Sequence, residues 1–292
     1  MGNYVISNKR KEGIFMSNVA QTTLAKSVSY SGIGLHAAEE VHMVLCPAPA
    51  NTGIVFIRTD LPGRPSVKAH LSNVTNTMRA TTLEDGEAKV FTVEHVLSAL
   101  NGLQIDNCII EMDSAEPPVA DGSSLNFVEL IELAGVKELD EARRELVVRR
   151  QHLVQEDDKF IAIVPYDGFR ITFTSINPHP LLGVQFFDAE ITKESYVKEI
   201  AYARTIAFTE ELEMMKKLGL GKGGTLENVV VYDKEECLSV PRVDDELVRH
   251  KVLDIIGDMA MIGRPLKGHI IAVKSSHKLN SLLTNKIAEE LD

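Results

Sequence analysis

Midway along the 292-residue chain, residues 137–150 (Lys-Glu-Leu-Asp-Glu-Ala-Arg-Arg-Glu-Leu-Val-Val-Arg-Arg) are dense in charge and start without an apolar period. A stretch that offers no core face is where a chain is best divided, because few buried contacts can cross it. The length supports division, since single cores stop growing at about 250 to 300 residues. A first domain over 17–140 and a second over 145–292 are therefore expected. On both sides strand and helix patterns are interspersed without the regular strand–helix–strand order of a doubly wound sheet, which predicts the α+β class.

In the first half, residues 41–45 alternate, 53–58 are largely apolar, and Pro47, Pro49, Pro62 and Pro65 punctuate loops. Val93, Val96, Leu97 and Leu100 recur at helical spacing behind Thr92 as N-cap, and the pattern stops at Gly102. Phe127, Leu130, Ile131 and Leu133 do the same behind Ser123 or Ser124, stopping at Gly135. In the second half strands are expected at 160–165, 169–174, 229–232 and 269–273. Helices are expected at 195–201, 210–218, 245–262 and 280–290. No repeat is visible at the level of residues.

A net charge of -11 argues against nucleic acid as a partner, because phosphate binding rests on Lys and Arg clusters. No apolar run approaches the roughly 20 residues of a membrane helix. Cys46, Cys108 and Cys237 are odd in number, far apart and without a Cys-x-x-Cys pair, so neither a disulfide framework nor a thiolate zinc site is indicated. Residues 1–15 lack the apolar stretch of a signal peptide. A cytoplasmic, soluble protein is expected, with Met16 as its natural start and 1–16 as an unstructured extension.

Helix 245–262 has an apolar face of Leu247, Val248, Val252, Leu253, Ile255, Ile256 and Met259, while His250, Asp254 and Asp258, four apart, form one polar stripe. His250 and Asp254 suit two ligands on one metal ion; they equally suit a solvated i, i+4 pair. Glu94 and His95 stand in the first turn of an otherwise apolar helix. There they read either as a dipole-complementing acid with a satisfied His, or as a base beside a metal ligand. Zinc hydrolases need three protein ligands and an open position, and His95, His250 and Asp254 make that count, with Glu94 as general base. Zn2+ leads; Fe2+ or manganese also fits a donor set containing Asp. An amide leaving group needs a proton and the oxyanion needs charge stabilisation, for which His277 is the candidate, held protonated by Asp258. As a lone residue after a strand, His277 equally reads as an exposed loop side chain.

At these positions the sequence resembles a known family. Val93-Glu94-His95, Asn107, Asp121-Gly122-Ser123, Ala203-Arg204-Thr205, Gly223-Gly224, Arg249-His250-Lys251 with Asp254 and Gly257-Asp258, and Lys274-Ser275 with His277 and Asn280 are similar to the UDP-3-O-acyl-N-acetylglucosamine deacetylases. So are Gly32-x-Gly34-Leu35-His36 and the run from Pro47 to Gly53. The likeness extends over about residues 20–290. It implies two α+β domains of similar topology with helices between their sheets. The implied activity is a committed step of lipid A synthesis, removal of acetate from the 2-amino group of a UDP-linked acylated glucosamine. It also implies zinc on His95, His250 and Asp254, Glu94 as base, His277 as the protonated His, Asp258 as its orienting acid, Thr205 at the oxyanion and Lys251 as a substrate-anchoring cation. Residues 206–232, bottom-up a helix, a Gly-rich turn and a strand, become an insert lining an acyl passage, with Leu212, Val229 and Val231 as lining residues or as ordinary core. A monomer is expected.

The chain departs from the family pattern at three places: Ile206 stands where Phe often follows Arg-Thr, Ser276 replaces a Gly before the late His, and Ala80 replaces a Cys near the site. None is a ligand. The alternatives are a binding protein that kept the fold without the chemistry, and a zinc amidohydrolase of other specificity.

Overall fold

A computed structural model describes residues 14–289. The chain begins with β1 (Ile14–Leu24), followed by β2 (Val28–Ile33), β3 (Glu40–Pro47), β4 (Ile54–Arg58) and β5 (Ser66–Lys68). A small antiparallel sheet comes next, made of β6 (Val74–Asn76), β7 (Thr82–Asp85) and β8 (Ala88–Phe91). Helix α1 (Glu94–Gly102), strand β9 (Cys108–Met112) and helix α2 (Leu125–Ala134) complete the first half. Strand β9 enters between β3, antiparallel, and β4, parallel, giving the order β2-β3-β9-β4-β5.

After β10 (Val136–Val147) come β11 (His152–Glu156), β12 (Lys159–Val164), β13 (Phe169–Ile176) and β14 (Val184–Glu190). Helix α3 (Lys193–Glu199), strand β15 (Ile206–Phe208), helix α4 (Thr209–Lys217) and strand β16 (Val230–Tyr232) lead to α5 (Glu246–Met259), β17 (Leu266–Val273) and α6 (His277–Ala288). Strand β17 enters between β12, antiparallel, and β13, parallel, and β14 closes the edge beside β13. The second half thus repeats the first: the late strand of each sheet is inserted centrally, with one helix before it and one after it. The repetition lies in pairing order, so no residue-level repeat announces it.

Helix α5 packs on β13 and β14, α6 on β11 and β12, α2 on β2, and α1 against α5, which puts the helices between the two sheets. One continuous core joins Leu45, Phe56 and Ile110 of the first sheet with Leu97 and Leu100 of α1, Leu253 and Ile256 of α5, and Ile161 and Ile270 of the second sheet. Each such buried side chain contributes roughly 1.5 to 3 kcal/mol. The α1–α5 contact depends on Gly257, where a Cβ would stand 2.2 Å from the Glu94 carbonyl oxygen. Asn101 Nδ2 adds a hydrogen bond to the Ile256 carbonyl at 2.8 Å.

Several elements differ from expectation. The charge-dense stretch, as far as Val147, is strand β10, antiparallel to β1 with two register shifts and, at its end, parallel to β17 through Leu146↔Leu266 and Val147↔Lys267. Its early residues are mostly exposed, which is why they need no apolar period, and the pairing draws β1 into the sheet of the second half. Residues 14–16, expected in an unstructured extension, belong to β1; residues 1–13 of that extension lie outside the described residues. Thr92 does not cap α1: at φ 56 its hydroxyl donates to Glu116 Oε1 at 2.7 Å, and the helix follows Val93. Helix α6 starts at His277, earlier than residue 280, behind Ser276 as N-cap. The 245–262 helix ends at Met259 and continues as a 3-10 turn, Ala260–Ile262, closed by Gly263 at φ 71. Among the described residues no helix is long and apolar enough to cross a membrane.

Candidate active site

The crossing of α1 and α5 brings the first turn of one helix against the middle of the other. His95, His250 and Asp254, all buried, present one ligand atom each within 4.8 Å of one another. The two imidazoles meet edge to face with centroids 5.2 Å apart. His250 Nδ1 donates to the Ala203 carbonyl at 3.1 Å, which leaves Nε2 as a lone pair facing Asp254 Oδ1 at 3.4 Å. Oδ1 itself is buried with no hydrogen-bond partner. A buried acceptor without a donor costs about 1 to 3 kcal/mol, and two neutral imidazoles around it are the donor set that a divalent cation satisfies. The residues fit a metal ion on this ground.

Electrostatics point the same way. Burial, and then the neighbouring His250, hold His95 down to about 3, so it is neutral and has a lone pair to give. Burial lowers His250 as well. Burial alone would raise Asp254, but its neighbours, His250 first and then the cations Lys251 and His277, outweigh it and keep the carboxylate ionised. Lys251 Nζ donates to Asp254 Oδ2 at 2.9 Å.

Beside the triad lie Glu94 and His277. Burial raises the Glu94 carboxyl to about 7, against the opposing pull of His277. Burial would lower His277, yet Asp258, Asp254 and Glu94 together raise it to about 10, so the ring carries a proton at neutral pH. Its Nδ1 donates to Asp258 Oδ2 at 2.8 Å, and Nε2 stands 3.8 Å from Glu94 Oε1. A group poised near neutrality next to a stably protonated imidazole is a base–acid couple.

These groups open on a cavity of about 1000 Å³ whose wall includes Glu94, His95, Thr205, His250, Lys251, Asp254 and His277. Leu212 of α4, Val229 and Val231 are on the same wall, and so are Ile206 and Ser276. Asp258 does not line the cavity and lies behind His277, from whose Nδ1 it accepts a hydrogen bond. Ala80 is buried and does not line the cavity, although Arg79 does. Every candidate from the sequence thus converges on one site, the two valines buried and Leu212 exposed at the rim.

Four further groups were given no role by the sequence reading. Thr81 donates its hydroxyl to Asp258 Oδ1 at 2.7 Å and its amide to Glu94 Oε2 at 3.1 Å, tying the two acids together from the loop between β6 and β7. Asn280 Nδ2 donates to Asp258 Oδ2 at 2.8 Å. Arg79 grips Glu211 of α4 with two bonds, 2.9 and 3.0 Å, across the cavity mouth. A lone Thr or Arg in a loop has no period or spacing to betray it; Asn280 had only its place in the quoted motif. Buried Arg204 pairs with buried Glu246 at 2.9 Å and anchors the start of α5.

Two imidazoles and a carboxylate converging on one point, with a near-neutral carboxyl and an imidazolium alongside, form the donor and proton-transfer set of a mononuclear metal hydrolase. Comparison with known proteins makes the class more definite. The family described as LpxC, UDP-3-O-acyl N-acetylglycosamine deacetylase, matches residues 21–289. The UDP-3-O-acyl-N-acetylglucosamine deacetylase of Anaeromyxobacter dehalogenans (strain 2CP-C) is 42% identical over 274 residues, 93% of this chain and 88% of the relative. That of Syntrophus aciditrophicus (strain SB) is 40% identical over 272 residues, 92% and 86% of the two chains. That of Citrifermentans bemidjiense is 42% identical over 276 residues, 94% and 90%. The chain belongs to this deacetylase family.

Proposed function

We propose that the chain hydrolyses the N-acetyl group of UDP-3-O-(3-hydroxyacyl)-N-acetylglucosamine, releasing acetate and the free 2-amine, a committed step of lipid A biosynthesis. The observation that carries this is the joint opening of the His95, His250 and Asp254 cluster, the Glu94–His277 couple and an apolar wall on one cavity. We further propose Zn2+ as the resident ion, with Fe2+ as the alternative, and a monomer working in the cytoplasm, in keeping with three unpaired cysteines. The ion would be held by His95, His250 and Asp254, and would polarise the carbonyl and lower the pKa of an attacking water.

The chain's own groups perform the rest. Glu94, whose carboxyl burial raises to about 7, takes the proton of the water that attacks the acetyl carbon. Protonated His277, fixed by Asp258, faces the developing oxyanion and gives its proton to the amine as the C–N bond breaks. Thr205 stands on the same wall with its hydroxyl available to the oxyanion, and Lys251 offers a cation to the anionic substrate. Leu212, Val229 and Val231 give the acyl chain an apolar path. Acetate release from this substrate by wild type and Glu94→Ala tests the reading. A loss of at least about a hundredfold with metal content retained is expected, the scale of a general base; unchanged turnover removes Glu94 from its role.

A further inference from the structure

A second cavity, of about 300 Å³, lies at the opposite end of α1 from Glu94 and His95. The first sheet contributes Gly53, Ile54 and Lys68, α1 contributes Leu100 and Asn101, β10 contributes Arg144, and the turn after α5 contributes Gly263 and Arg264. Three cations, Lys68, Arg144 and Arg264, thus converge from three parts of a chain whose net charge is -11. Among the described residues none of the three has a carboxylate within ion-pair distance. Asp106 is the carboxylate on this wall, and Arg143 holds it at 2.8 Å.

Arg144 on β10 and Arg264 in the turn before β17 each stand two residues before the paired Leu146 and Leu266, and the two guanidinium groups are near enough to repel. Arg264 Nη1 is buried with no hydrogen-bond partner, and burial, with Arg144 beside it, depresses the guanidinium below its usual value. Of the amides on the wall, Gln21 is engaged with Asn51 and Asn107 at 3.0 Å each, and Asn101 with the Ile256 carbonyl. The buried donor left without a partner, Arg264 Nη1, is cationic. The carbonyl end of α1 opposes an anion with about half a charge, which three full cations outweigh.

We propose that this cavity binds a phosphoryl group, as inorganic phosphate or a small phosphate ester. Paired guanidinium groups match phosphate oxygens in a fork, and Lys68 adds a point charge. Its volume lies at the lower limit of ligand pockets, too small for the acylated nucleotide sugar of the large cavity. A bound phosphate would tie β5 to the β10 and β17 strands, linking the two halves behind the catalytic helices.

The test compares thermal melting of wild type, Arg264→Gln and Arg144→Gln in sodium chloride and in sodium phosphate at equal ionic strength, with citrate as the carboxylate arm and 31P line broadening as direct evidence of binding. Wild type is expected to gain about 5 °C, saturably, at phosphate near a hundredfold above Kd, and both variants to lose the gain and the broadening. In chloride alone Arg264→Gln should melt no lower than wild type, since it removes an unpaired cation. The proposal is overturned by no saturable response in wild type, or by a response kept in both variants, which would place binding near Lys251. A larger rise with citrate overturns the phosphoryl assignment. A marked drop of Arg264→Gln in chloride would make Arg264 structural and overturn the account. Should that variant not fold, Arg144→Gln on β10 carries the same comparison.

Discussion

Replacing Glu94 by Gln should destroy activity and yet stabilise the metal-free protein. Glu94 is 3% exposed and its carboxyl is raised from 4.5 to about 7, first by burial. An acid whose folded pKa is raised destabilises the fold as it ionises: the penalty is absent below pH 4.5, grows as pH rises toward 7 and is constant above. The difference of about 2.5 pH units, at about 1.36 kcal/mol each, makes the penalty about 3 kcal/mol at pH 8 and less than about 1 kcal/mol at pH 5. Gln has the same shape, keeps an oxygen for the Thr81 amide and cannot ionise. Urea unfolding of chelated protein, followed by circular dichroism because the chain has no Trp, should show Glu94→Gln more stable at pH 8 with the gain nearly gone at pH 5. Added zinc should shrink the gain, since a cation beside the carboxylate stabilises its ionised form. A variant no more stable than wild type at pH 8, or one with the same gain at both pH values, refutes the idea that burial sets the base.

Asp258→Asn should bring the basic limb of the kcat/KM profile down from about 10 by roughly two pH units, because it removes the largest influence raising His277; an unmoved limb separates Asp258 from the proton donor. Thr81→Val should cut kcat about tenfold, the scale of a hydrogen bond to a charged group, with KM little changed and Thr81→Ser restoring the rate. If Ser behaves as Val, the hydroxyl is not what positions Asp258. Val231→Phe should lower kcat/KM for a long-chain substrate by about tenfold through overpacking the passage while sparing a short-chain analogue; equal loss on both would place Val231 outside the acyl path. His250→Ala should lose stoichiometric metal, measured by elemental analysis, and full retention would break the ligand assignment.

The α+β class and the positions of most helices were legible because helical period and terminal glycines are local signals, as at Gly102 and Gly135. The duplication was legible only through the family resemblance, since it resides in which strands pair, and strand order is a long-range property. Residues 137–150 show how a local rule misleads. Their charges lie along the exposed part of a ribbon with β1, so absence of an apolar period marked a solvent-facing strand where no strand was expected. Similarly, Thr92 has a good N-cap side chain but spends it on Glu116.

Within the site, residue type was legible and geometry was not. His250 and Asp254 are four apart on one helix and could be paired from sequence, whereas their meeting with His95 depends on two helices separated by about half the chain. That meeting is permitted by Gly257, whose missing side chain lets α5 touch the Glu94 backbone. The same contact buries Glu94 and His95, and burial is what takes one carboxyl toward neutrality and keeps the imidazole unprotonated. A single close approach of backbones therefore accounts for both the ligand cluster and the tuning of its base. Thr81 acts from the other side: a loop residue without any sequence signal links Glu94 and Asp258, so the proposed base and the group that holds the proposed acid are fixed against each other. Any substitution that parts α1 from α5, such as a side chain at 257, should then disturb metal affinity and the pH profile together, although it touches neither a ligand nor a proton.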